Sequence, residues 1–590
     1  MSGSTVASRV ERRDTDILIL GSGGAGLFAA LHAHQADPSL SITVAVKGLL
    51  GKCGCTRMVQ GGYNVALAPG DSIERHFMDT IEGSKWLADQ DLAWTLVTKA
   101  VERIRELENE LGCFFDRNPD GTIHQKAFAG QTFDRTVHKG DLTGIEIINR
   151  LAEQVWARGI RRMEEHRAIE LIRSRDGSRI AGVLMIDMRT GGYVLVRARA
   201  VLLATGGGPT MYKYHTPSGE KSCDGLAMAL RAGLPLRDME MVQFHPTGLL
   251  AGGSTRMTGT VLEEGLRGAG GWLLNGQGER FMKSYHAEAE RATRDIVSRA
   301  IYAEMRAGRT TPNGGVYIQM HHLGPDKVRR QFKGMVERCA DCGFDLAGGL
   351  VEVVPTAHYM MGGVVFRGDC TTGLPGLYAA GEDTGGVHGA NRLGGNGVAN
   401  STVFGGISGE SMAAALAGER GALADPDEEA IGESIARHEL PFSRGSGDPQ
   451  AIDEIRESLY ETMWRDVGIL RDASGLSRAL EQLESLDEAL SRCGVADGDR
   501  AFNPSWHDWL NLRSLVAVSR TIATAALARE DSRGAHYRED FPDARDLANS
   551  TFTVVTQDAS GRLSLGREPV AFTRVRPGES LLAAALAAAG

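Results

Sequence analysis

No uninterrupted apolar run in this 590-residue chain approaches the roughly 18 to 20 residues that a membrane-spanning helix needs. Any membrane association is therefore expected to come through a partner. Nor is there a block of lysine and arginine, and the formal charge is −10, so nucleic acid is not an expected ligand. Eight cysteines are too few in so long a chain for a disulfide framework, which points to a reducing, cytoplasmic setting. Cys339-x-x-Cys342 has no second pair to complete a zinc site and reads as buried helical thiols, so no metal is expected. Internal repeats and low-complexity tracts are absent too. The opening MSGSTVASRVERRDT is short and polar and runs straight into a strand, so it does not read as a signal peptide.

What the chain has in excess is glycine, 75 residues, well above the average of roughly 7%. Its length implies about three or four domains. The densest glycine stretch is YAAGEDTGGVHGANRLGGNGVANSTVF at 378–404, which also carries Glu382, His388 and Arg392. Glycines gather where backbone must approach a ligand closely. An arginine among them is a fork of donors suited to a carboxylate or phosphate. The stretch reads as a cofactor cradle with an anion grip.

Earlier, DILILGSGGAG at 16–26 reads as a buried parallel strand leading into Gly21-x-Gly23-x-x-Gly26 and a helix. Such a turn brings backbone and a helix N-terminus to a pyrophosphate. The next strand, SITVAVKG, ends at Lys47 with no acid for a ribose, which disfavours a classical NAD site and favours a flavin. A second apolar run ends in ATGGG at 204–208. Residues 90–112 and 141–158 read as helices and 179–199 as an antiparallel hairpin. In 511–529 the apolar residues are expected on one helix face, and STFTVVTQDASGRLSL reads as a β-like tail.

These elements predict an α/β fold: a Rossmann-like dinucleotide domain (14–240 and 351–415) interrupted by an α+β capping domain (241–350). A helical domain (435–545) and a short C-terminal domain (546–590) follow. GERGALADPDEE and SRGSGDPQ read as linkers.

Taken in order, GSGGAGLFAA, MVQGGYNVAL, ATGGG, CDGLAMALRAG, QFHPTG, EEGLRGAGG, TRDIVSRA, PTAHYMMGGV, AAGEDTGGVHGANRLGGN and SRGAHYREDFP resemble the flavoprotein subunits of succinate dehydrogenase and fumarate reductase, and their relative L-aspartate oxidase. The resemblance implies FAD, a dicarboxylate-like substrate and an iron-sulfur partner subunit. It assigns Gly21, Gly23, Gly24 and Gly26 to the pyrophosphate and Glu382 to the ribose, and sets Asp224, Gly61 and Gly62 along the flavin. Gln60, Thr205, Gly206 and Asn396 fall in the matched motifs and join the cofactor-binding set, as do His358 and Arg392 and, between the first two motifs, Lys47, Cys55 and Thr56. His245, His358 and Arg392 are implied as grips on substrate carboxylates. Arg294 matches the arginine that exchanges a proton, with Glu264 and Arg267 as the relay behind it. An arginine, whose pKa in water exceeds about 12, needs such neighbours to act as an acid.

Read without the resemblance, Arg294 beside Asp295 is equally a surface ion pair, His245 before Pro246 a turn cap and His358 a core histidine. Three positions also depart from the family pattern. Cys55 stands where membrane-bound succinate dehydrogenases carry a flavin-linked histidine, so FAD is expected to be noncovalent, which favours fumarate reduction or oxidase chemistry. Glu263 replaces a threonine that bonds substrate. It is expected to point away, to be protonated or to meet a substrate carrying a hydroxyl or ammonium, the last favouring an amino or hydroxy acid oxidase. Gly397-Val398-Ala399-Asn400 replaces an SLLD-like segment.

Overall fold

The computed structural model describes residues 10–253, 255, 257–417, 422–444 and 449–582. The first nine residues and parts of both linker stretches lie outside the described residues.

The strand Glu11–Leu20 is polar at its start and apolar at its end, and only the apolar end is buried. It pairs in parallel with Ile42–Ala45 on one side and Gly192–Leu203 on the other. The seven-stranded sheet runs Arg161–Met163, Ile42–Ala45, Glu11–Leu20, Gly192–Leu203, Ile180–Asp187, His166–Arg173, with Leu377–Ala379 also on Gly192–Leu203. That long strand changes partner along its length. Up to Arg197 it pairs antiparallel with Ile180–Asp187, and at Val201–Leu203 it pairs in parallel with Leu377–Ala379. The chain thus returns to complete the sheet after a long excursion.

The excursion builds a second sheet, wholly antiparallel, in the order Val242–Leu249, Leu350–Met360, Val316–Gln319, Trp272–Leu274. Register shifts after Gln243 and after His245 interrupt its first ladder. Proline, which cannot donate to a ladder, is tolerated at such irregularities, and Pro246 sits in the second one. PTAHYM is the end of the strand Leu350–Met360.

Helices form at Gln90–Asn109 and Thr143–Ala157, and the hairpin at 180–203, as the periodicity predicts. After the cofactor domain come Glu428–His438, Pro449–Asp466, Ala473–Arg492 and Pro504–Ala528. The last departs from expectation, because apolar residues such as Trp506, Trp509, Leu512, Val518 and Ile522 are buried around most of its circumference. It is the central helix of its group, packed by Ala473–Arg492, Pro449–Asp466 and Asp224–Arg231, so a single apolar face would not suffice. The tail forms the hairpin Thr551–Gln557 and Leu563–Pro569, which joins strand Leu236–Arg237. Of the expected helical thiol pair, only Cys339 lies in a helix, Lys333–Ala340; Cys342 falls in the turn beyond it.

Candidate active site

A cavity of about 620 Å³ runs between the first sheet and the capping sheet. At one end it is walled by Gly23, Gly24, Thr205 and Gly206, along its middle by Cys55, Thr56, Gln60, Gly61 and Gly62, and at the far end by His245, Glu264, Arg294, His358 and Arg392. Glu382 and Tyr359 also face it. The glycine end follows from the strand ends. Leu20 and Leu203 are neighbours in register, so the turns after them emerge side by side. At Gly26 a Cβ would stand 2.0 Å from the carbonyl oxygen of Gly21, so only glycine lets the helix Gly24–Ala36 pack against its own turn. That helix lies along Asn396–Leu416 on its other side.

Asp224 is placed differently from expectation. With Lys47 it lines a smaller cavity of about 70 Å³ that shares Gly23, Thr205 and Gly206 with the main one, and it does not share a wall with Gly61 and Gly62. Lys47 Nζ lies 2.9 Å from Asp224 Oδ2, and Asp224 also accepts from Arg167 and Ser514. Lys47 thus finds its counter-charge in a distant segment. Burial would raise the Asp224 carboxyl, but Arg167 and Lys47 outweigh it and hold it far below the carboxylate range. Glu382 accepts the backbone N–H groups of Met360 and Gly208 at 3.0 and 3.3 Å, and burial pushes its carboxyl up to about 7. Burial, with Glu382 beside it, pushes the Cys55 thiol up to about 12. At neutral pH it is no thiolate.

Asn396 is the clearest correction among the cofactor assignments. Its amide is occupied by Asn64, His76 and Thr80, at 2.9, 3.0 and 3.1 Å, and it braces the start of its helix from behind the cavity wall. His388 likewise packs behind the wall, 3.4 Å from the Tyr359 hydroxyl.

The charged end is built from buried ion pairs. Glu264 precedes the one-turn helix Gly265–Gly268, and Arg267 within it donates to Glu264 Oε1 at 3.2 Å. Arg294 opens the helix Arg294–Arg306 and donates through Nε and Nη2 to Glu264 Oε2, at 3.0 and 2.6 Å. One carboxylate therefore spans two guanidiniums, one per oxygen, and Arg267 is only 1% exposed. Burial alone would raise the Glu264 carboxyl, but Arg294 and Arg267 hold it below its ordinary value. Arg294 ignores its neighbour Asp295, which pairs with Arg299 instead. Neither is it a surface residue, being 7% exposed.

Arg392 lies 4.5 Å over the Tyr359 ring, a cation–π contact. Burial, then the charge of Arg294, lowers it to about 10, so it stays protonated at neutrality. His245 caps the strand bulge, its Nδ1 accepting the Thr247 N–H at 3.3 Å, and it lines the cavity as well. That leaves the ring proton on Nε2. His358 shares a hydrogen bond with Thr216 at 2.8 Å. Burial and the nearby arginines lower both histidines well below their usual pKa, so they are neutral donors rather than cations.

Glu263 does not point away from the cavity. It lines the cavity, and its Oε2 lies 3.2 Å from Lys126 Nζ. Burial raises its carboxyl while Lys126 partly offsets the shift, so the added acid arrives with its own counter-charge. Gly397 makes room for the arginine, because a Cβ there would stand 3.1 Å from Arg392 Nη1 and 3.2 Å from Tyr359.

Sequence reasoning missed two positions. Gln243 Oε1 accepts from Arg294 at 3.1 Å and from Arg392 at 3.0 Å, while its amide nitrogen is fixed by Asn391 and the Arg392 carbonyl. It spaces two like charges. Its place two residues before His245 on a strand was the available signal. Lys126 had none, since its partner lies far along the chain.

Comparison with known proteins matches the same regions. The family profile described as "FAD binding domain" covers residues 16–398, and "Fumarate reductase flavoprotein C-term" covers 456–581. The chain is 41% identical to one subunit of the "Fumarate reductase (CoM/CoB)" of Methanothermobacter marburgensis, over 91% of this chain and 96% of that protein. It is 34% identical to the "8-methylmenaquinol:fumarate reductase flavoprotein subunit" of Wolinella succinogenes, over 95% and 91%. A solved structure of the flavoprotein of E. coli quinol fumarate reductase superposes with a TM-score of 0.90 at 33% identity, covering 97% of this chain and 99% of that one. The chain therefore belongs to the fumarate reductase flavoprotein family, the FAD-dependent oxidoreductases of the succinate dehydrogenase and fumarate reductase type.

Proposed function

We propose that this flavoprotein reduces fumarate or a closely similar C4-dicarboxylate, with electrons supplied by an iron-sulfur subunit. The observation that carries the reading is the buried group of Arg294, Glu264, Arg267 and Arg392, with two neutral histidines, closing one end of the long cavity. The names of the two relatives join fumarate to different electron donors, so the chemistry they share is at fumarate.

The cavity suits FAD. Its length ends in glycine turns, and the buried Gln60 Oε1 and Arg392 Nε have no hydrogen-bond partner among the described residues. Gly23, Gly24 and Gly206 would hold the pyrophosphate, and Glu382 would accept from the ribose. When bound, FAD supplies the two-electron carrier that delivers hydride to one alkene carbon. A protonated Cys55 is a poor nucleophile, which supports noncovalent attachment.

The residues of the chain then do three things. Arg392, His245 and His358 bind the carboxylates and favour the charge that develops as hydride arrives, a preorganised electrostatic effect. Arg294 gives a proton to the adjacent carbon, and Glu264 between two arginines returns one to it. Arg267 is held in place by donating to the Glu290 backbone carbonyl at 2.7 Å, and the Glu290 carboxylate is in turn paired with the more exposed Arg280. Because Lys126 neutralises Glu263, the case for an ammonium-bearing substrate loses its support, and an aspartate oxidase is not favoured.

The test is to give the isolated FAD-loaded chain reduced viologen and fumarate, and separately L-aspartate and oxygen. Succinate formed with viologen oxidation is expected; rapid aspartate-dependent peroxide would replace the reading. The iron-sulfur partner is tested by purifying the tagged chain from its source and assaying acid-labile sulfide, which should accompany it.

A further inference from the structure

A second cavity of about 620 Å³ lies between the central helix Pro504–Ala528, the helix Glu428–His438 and the tip of the C-terminal hairpin. Arg167, Arg231, Arg437, Arg513, Arg520 and Arg562 line it against Asp224, Asp487 and Asp558, a formal surplus of three positive charges on a chain whose total is −10. The counter-charges are unevenly used. Asp224 is committed to Lys47 and Arg167, and Asp487 pairs with Arg513. Arg231 and Arg437 share the single carboxylate Glu170. Asp558 is taken up by the turn around Ser560 and the backbone of Arg562. Arg520, half-buried, has no hydrogen bond or ion pair among the described residues.

We propose that this cavity is a binding site for a small polyphosphate, either free or carried by a nucleotide. Leu510, Arg513, Ser514, Ala517 and Arg520 recur at helical spacing and form one stripe facing the cavity from a helix otherwise enclosed by apolar contacts. Arg513 and Arg520 are two turns apart, about 10 Å along the axis. Linked phosphates present oxygens to both guanidiniums at once. Arginine forks match phosphate oxygens two at a time. Crowding supports the choice, since burial, followed by the charges of Arg231 and Arg437, lowers the Arg513 guanidinium despite Asp487. An anion among these cations relieves the repulsion.

The test uses the full-length, FAD-loaded protein with fumarate saturating the substrate site and no electron donor. Sodium tripolyphosphate and ATP are titrated separately by calorimetry. Saturable single-site binding of tripolyphosphate is expected, weakened about tenfold or more by Arg513→Gln with Arg520→Gln, and weakened by added salt. ATP binding more tightly than tripolyphosphate would identify a nucleotide as the ligand; equal affinity would identify the phosphate chain alone. Viologen-linked fumarate reduction without polyanion is expected to be unchanged in the double variant. Arg520→Gln alone, which removes no ion pair, guards against misfolding and should weaken binding in the same direction. Absence of saturable binding, or equal affinity in wild type and both variants, would overturn the site.

Discussion

At its glycine end the main cavity is walled by backbone, and at its charged end by side chains drawn from segments that are remote in sequence. The first end follows from two strand ends lying in register, with small residues where the helix Gly24–Ala36 must approach its own turn. The second depends on each buried charge finding an opposite one: Glu264 between Arg267 and Arg294, and Glu263 against Lys126. Buried charges that lose a partner are costly in a way that a missing backbone contact is not. Substitutions should therefore affect the two ends differently, with the charged end governing turnover and the glycine end governing cofactor retention and stability.

The contrast is tested most severely by Arg294→Gln. Turnover should fall by about 10³-fold or more, in the range of a lost acid catalyst, while flavin content measured by absorbance stays the same. Near-normal rates would detach Arg294 from the reaction.

At the other end, Glu382 offers a stability test in flavin-free protein. Its folded carboxyl holds a proton up to about 7, whereas its ordinary value is 4.5. Between those values the folded state binds more protons than the unfolded one, so stability contributed by this group is lost as pH rises through the window. The change should approach about 3 kcal/mol in denaturant titrations and should vanish in Glu382→Gln. A wild-type slope unchanged in the variant would assign the effect elsewhere.

Smaller in effect, Lys126→Met leaves Glu263 without its counter-charge beside the substrate. The KM for fumarate should rise about tenfold or more with little change in kcat, and adding Glu263→Gln should restore most of it. If the double variant is no better than the single one, the pair is not what admits a dicarboxylate. Least of all should Cys55→Ser matter. Acid denaturation should release all flavin from both proteins, and a polypeptide mass increased by one FAD in wild type alone would show that the thiol is bonded.

The same contrast explains how much could be read from sequence. Gly21-x-Gly23-x-x-Gly26, the hairpin at 180–203 and the helices at 90–109 and 143–157 are local patterns, and each forms near where its periodicity places it. The FAD-binding and helical parts of the fold were legible for that reason. Pairings were not. Lys47 with Asp224, Lys126 with Glu263, and Gln243 between Arg294 and Arg392 join distant segments, and nothing in either local sequence encodes its partner. Asn396 illustrates the opposite error, since it stands inside a matched motif yet is turned into the wall by Asn64, His76 and Thr80. The central helix was misjudged because amphipathic spacing describes a helix on a surface, and this one is enclosed.

The late return of the chain to its first sheet has a consequence in time. Leu377–Ala379 closes against Val201–Leu203, and the helix Asn396–Leu416 covers Gly24–Ala36, only after the whole capping sheet has been made. At about 5 to 20 residues per second of synthesis, the strand Glu11–Leu20 waits tens of seconds for the elements that enclose its neighbours. During that wait, apolar surface of the nascent first sheet remains uncovered and in need of protection from aggregation. The last residues to wall the chamber, from Ala380 to Ser401, are synthesised after the cap, so the chamber cannot be complete before the cap exists.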